Sequence, residues 1–131
     1  MNTKRFAIAA ACTFLFVFFY EYLFHAVILS STYEATKEVW RPHEEEQMIF
    51  IFMSQIFFSI VAAYFFTRHY QNKGVGEGLR FGTLIGLLLA APQLGTYSYL
   101  PIPLGLTIAW MVGVFIEGLG AGIVLSLTYK N

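Results

Sequence analysis

The sequence predicts an all-α polytopic membrane protein, with four transmembrane helices in one bundle and a short interfacial helix in the first loop. Three observations predict it. Of 131 residues, 57% are hydrophobic and 12% are charged, and a water-soluble domain carries about 25% charged residues. The apolar residues fall in four runs, each close to the ~20 residues that a spanning helix needs. The charged residues gather between the runs. Four spans with short loops use up the chain, so residues 1–131 read as one domain.

The first span covers about residues 6–29. Lys4 and Arg5 precede it, as in a secretion signal. No small-x-small cleavage pattern follows, so the run reads as an uncleaved span. The lone cysteine, Cys12, lies inside it and reads as a small apolar residue. In the first loop, Ser31 and Glu34 have the spacing of a capping box. That predicts a helix over about 32–40, with Tyr33 and Trp40 as interfacial anchors and Pro42 as its stop. His43, Glu44, Glu45 and Glu46 then lead into the second span, about residues 47–67. Acids there match the positive end of a helix. A surface cation site on His43 is the second reading.

The second loop, 71–78, holds three glycines and Lys73 and reads as a flexible turn. Its GVGEG lacks the preceding strand and the Lys-Ser/Thr ending of a phosphate loop. The third span covers about 79–100 and the fourth about 104–129. Pro101 and Pro103 sit between them, which predicts a tight helical hairpin.

Orientation follows from Lys and Arg in the flanks. Lys4, Arg5, Arg68, Lys73, Arg80 and Lys130 share one side, and only Lys37 and Arg41 lie on the other. The expected location is the cytoplasmic (inner) membrane of a bacterium, with both termini in the cytoplasm. Net charge is zero and no segment carries a basic stripe, which excludes nucleic acid as a partner. The expected partners are the lipid bilayer and a second copy or a larger membrane protein.

Ionisable side chains inside hydrocarbon cost several kcal/mol and mark sites or structural pairs. Glu21 lies about four residues, roughly 6 Å, outside the centre of its span. His25 follows at the i, i+4 spacing that lets two side chains meet. Gln55, Gln93 and Glu117 fall at comparable depths in the other three spans. A shared polar layer of Glu21, His25, Gln55, Gln93 and Glu117 is the expectation. Pro92, beside Gln93, frees the carbonyl of Leu88, which needs an interior partner or a cavity. Gly113, Gly118 and Gly122 mark a low ridge on the fourth span for helix packing. Gly118-x-x-x-Gly122 fits a contact within the chain as well as a dimer.

Three functions compete. One is transport of a small cation or a proton-coupled solute, with a membrane carboxylate exchanging proton and substrate. A second is a divalent metal site on Glu21, His25 and Glu117, donors that suit Zn, Fe or Mn. The third is a non-catalytic accessory or scaffold subunit with a purely structural polar layer. An enzyme has least support, because no nucleophile–base pair is present. His25 and His69 lie at opposite faces and are poorly placed to share a haem.

The stretch YEYLFHAVILSSTYEATKEVWRP resembles the first span and loop of small four-helix bacterial membrane proteins of unknown function. In size, span count and a Glu in the first span, the chain is also similar to small multidrug-resistance transporters. It departs from them in its second buried Glu, its long charged first loop and its charge bias. None of that family's residue roles carries over.

Overall fold

The computed structural model describes residues 1–130. Helix α1 (Thr3–Glu21) runs on without a break into a π-helical turn, Tyr22–Ile28. Helix α2 (Ser30–Ala35) and two 3-10 turns, Lys37–Val39 and His43–Glu45, make the first loop. Helices α3 (Met48–Arg68), α4 (Val75–Thr96) and α5 (Leu104–Thr128) complete the chain, and no strand occurs among the described residues. Thr3–Ile28, α3, α4 and α5 are each long and apolar enough to cross a membrane. The shortest has 21 residues, about 30 Å of helix.

Three local expectations are corrected. The capping box does not form, because α2 continues from the π turn: the Tyr33 N–H donates to the Leu29 carbonyl at 3.0 Å, and no side chain caps the helix. The acids do not open α3. Pro42 and Glu46 are both extended, so His43–Glu45 is a separate turn and the first turn of α3 holds no acid. There His43 pairs with Glu46 at 2.9 Å and is 94% exposed at the side chain. The third span starts at Val75 instead of 79, and the loop before it is a fixed turn. The buried Glu77 carboxylate accepts the backbone N–H groups of Gln71 (2.6 Å) and Lys73 (2.9 Å). Gly74 turns the chain at φ 68, a conformation natural to glycine.

The tightest helix pair is α4 with α5. Gly78, Gly82 and Gly86, each four residues apart, line one side of α4. Gly118 and Gly122 answer from α5. A Cβ on Gly82 or Gly118 would overlap the backbone of the facing helix. The Gly118-x-x-x-Gly122 spacing is therefore used inside the chain, and its partner triad lies partly in a stretch that reads as loop from sequence. Gly113 belongs to another contact: the ring of Phe24 in the π turn fills the space beside it, as Phe16 of α1 does beside Gly120.

Helix α1 packs on α5 with this face and on α3 with another. The bundle is closed at one end and open at the other. At the end carrying both termini, Ala9, Ala10, Ala62, Ala63, Phe66 and Leu125 form a buried cluster of mostly small residues. Phe66 meets Phe81 of α4 edge-on at 5.3 Å, so all four long helices converge there. The Arg5 guanidinium donates to the Lys130 carbonyl, and the Asn2 N–H donates to the Tyr129 hydroxyl at 3.2 Å. At the opposite end α1 and α3 part, and the first loop covers the gap. A second cluster of Leu29, Ile102 and Leu106, with Trp40 and Trp110 against it, fastens that loop to the α4–α5 turn.

Candidate functional site

The gap between the loop-side halves of α1 and α3 is a cavity of about 1300 Å³. Its polar floor is a pair. Gln55 of α3 is 4% exposed, and its Nε2 donates to Glu21 Oε2 of α1 at 2.5 Å. The amide nitrogen is the donor and the carboxylate oxygen the acceptor. The bond therefore fixes the amide's orientation and leaves Gln55 Oε1 buried without a partner. Such an orphan is unusual, since buried polar atoms are normally paired. The other carboxylate oxygen, Glu21 Oε1, forms no hydrogen bond among the described residues.

His25 lines the same cavity, but it does not meet Glu21. In the π turn the backbone is wound more loosely than in an α-helix, and each side chain has a closer partner. His25 Nδ1 lies 2.6 Å from the Tyr33 hydroxyl, which also accepts from the indole N–H of Trp110 at 2.8 Å. An indole N–H can only donate. Every group is satisfied when the phenol proton goes to His25 Nδ1, which places the ring proton on Nε2. Burial raises the Tyr33 phenol above its ordinary value of 10.0, opposed by the hydrogen bond from Trp110. Tyr33 thus ties α1, the first loop and α5 at one point.

The walls are aromatic. Phe18, Tyr22, Tyr33, Trp40 and Phe52 all line the cavity. Phe18 and Phe52 stack across the α1–α3 seam at 5.9 Å, and Tyr33 meets Trp40 edge-on at 5.6 Å. Around the mouth stand Glu34, Glu44 and Glu46 beside Lys37, Arg41 and His43.

The five-residue polar layer is not gathered in one place. Glu21 and Gln55 meet, and His25 faces the same space. Glu117 is 6% exposed on the α5 face that carries Gly113 and Gly120, within electrostatic range of Glu21 but not hydrogen-bonded to it. Along that face Tyr20 stacks between Phe16 (5.7 Å) and Phe24 (5.9 Å) and donates to the Gly113 carbonyl at 2.6 Å. Among the described residues the Glu117 carboxylate has no hydrogen-bond partner, and it does not line the cavity. Gln93 is half-buried on α4, which packs mainly on α5, and stands apart from the Glu21–Gln55 pair. Pro92 and Leu88 both lie on the exposed side of α4, so Pro92 does not shape this site.

The metal trio is likewise not assembled. Among the described residues no three His, Cys, Asp or Glu side chains converge as a metal site. Glu21 and His25 line the cavity and Glu117 does not. Sequence reasoning missed Trp110 and the junction role of Tyr33. A lone Trp near the loop end of an apolar span was the available signal for the first. No family model, curated protein or solved structure matches the chain.

Proposed function

We propose that the chain is an integral membrane protein that binds and moves a small cationic, proton-coupled solute through the cavity between α1 and α3. Its four long helices would cross the bilayer with both termini in the cytoplasm and the cavity mouth outside. The apolar outer surface supports insertion: Phe50 is 61% and Phe57 72% exposed on α3, an extent of apolar surface that water disfavours. The concentration of Lys and Arg at the closed end supports the orientation.

The observation that carries the function is the carboxylate of Glu21 at the floor of a large aromatic-walled cavity, with one oxygen unpaired. A carboxylate at that depth attracts a cation and exchanges it for a proton. Aromatic faces hold cations that have left water. The cluster Ala9, Ala62, Ala63 and Phe66 closes the path at the other end, as one state of an alternating-access cycle requires. Without a converging ligand set, the metal-site reading has no comparable support.

The test is uptake into proteoliposomes under an imposed pH gradient. The wild type is expected to show gradient-dependent flux of an organic cation. Glu21→Gln keeps an amide partner for Gln55 and is expected to abolish that flux in a folded protein. Flux unchanged by Glu21→Gln would sink the proposal.

A further inference from the structure

The unpaired carboxylate oxygen at the cavity floor narrows the class of cation, on the premise that this cavity is the binding site. We propose that the site selects protonated primary or secondary amines carrying an apolar or aromatic body, over quaternary ammonium ions of the same size. Glu21 Oε1 and Gln55 Oε1 are both acceptors without a donor among the described residues; Gln55 Oε1 is fully buried, so Glu21 Oε1 is the one open to the cavity. Glu21 Oε1 belongs to a half-exposed side chain that lines the cavity.

An ammonium with N–H bonds gives the carboxylate a charge-assisted hydrogen bond, about twice as strong as a neutral one. A quaternary ammonium gains the aromatic contacts but donates nothing, so Glu21 Oε1 stays without a donor beneath it. An acceptor that a ligand cuts off from water without supplying a donor is the costly case. The ring walls, Phe18, Tyr22 and Phe52, suit a flat or chain-like apolar body attached to the amine. The volume of about 1300 Å³ accommodates a drug-sized molecule.

The experiment is calorimetric titration of the protein in lipid nanodiscs with 4-phenylbutylamine and with (4-phenylbutyl)trimethylammonium. The amine is expected to bind about tenfold tighter, the worth of one charge-assisted hydrogen bond. Glu21→Gln is expected to bring the two affinities within about twofold of each other, while Glu21→Asp, which keeps the charge, retains the preference. Equal binding of both probes by the wild type, or tighter binding of the trimethylammonium, overturns the selectivity but leaves the cation site standing. If neither probe binds the folded wild type, the cation site itself falls. Near-ultraviolet circular dichroism of Trp40 and Trp110 reports folding of each variant.

Discussion

Gly82 on α4 and Gly118 on α5 face one another with no room for a methyl group on either. The contact lets two helix backbones touch where side chains would hold them apart. Without water to drive association, such packing is what holds apolar helices together in a membrane. Gly118→Ala and Gly82→Ala are each expected to lower stability by about 1–3 kcal/mol, the usual cost of overpacking. Gly95→Ala is the control: nothing lies within 4 Å of its added Cβ, so no loss is expected. Unfolding in mixed detergent micelles measures all three.

The Glu21–Gln55 hydrogen bond gives a second prediction. Gln55→Leu strips a half-buried carboxylate of its one hydrogen-bond partner and is expected to cost about 1–3 kcal/mol. Replacing both residues with leucine should recover most of that loss, because neither polar group is then left unpaired. A double-mutant cycle on thermal unfolding checks it. Losses of Gln55→Leu and Glu21→Leu that simply add in the double variant would show that the pair is not coupled.

Tyr33 carries a pH prediction. Its folded phenol is raised above the ordinary value of 10.0 by burial. Folding therefore favours the protonated form, and this contribution is fully present below pH 10. It is lost as pH climbs past the ordinary value and through the higher folded one. Tyr33→Phe should remove one phenolate step above pH 10 from the 295 nm absorbance titration. The same variant leaves the Trp110 indole without its acceptor, at a cost of about 1–3 kcal/mol.

Topology can be checked with single cysteines in a Cys12→Ala background. A membrane-impermeant maleimide added to intact cells is expected to label Glu38→Cys in the first loop and to miss Asn72→Cys in the second. The reverse pattern would invert the orientation and place the cavity mouth in the cytoplasm.

The four long helices were legible because each needs only a run of apolar residues of the right length. α3 and α5 therefore start or end within a residue or two of expectation. Two expectations failed where individual side chains overrode composition: Glu77 pulled the start of α4 back to Val75, and Pro42 with Glu46 set the acids in a turn of their own ahead of α3. The glycine contact was half legible. Gly118 and Gly122 stood out in an apolar run, whereas Gly78 sat among loop glycines and concealed the triad with Gly82 and Gly86. Depth alone suggested one polar layer, but depth does not reveal which way a side chain points around its helix. The winding of Tyr22–Ile28 has no signature in residue type, and it turned an expected Glu21–His25 pair into two separate partnerships.

The closeness of α4 to α5 also bears on how the chain can be divided. Each hairpin, α1 with α3 and α4 with α5, is made of helices adjacent in sequence, and the α1–α5 face joins the two. Backbone glycine contacts give the second hairpin a complete interface of its own. Two polypeptides produced by a break in the turn at 72–74 should therefore find each other in the bilayer. Co-purification of a tagged 1–72 fragment with a 73–131 fragment would establish the halves as separable modules, and its loss with Gly120→Leu would locate their seam on the face that receives Phe16.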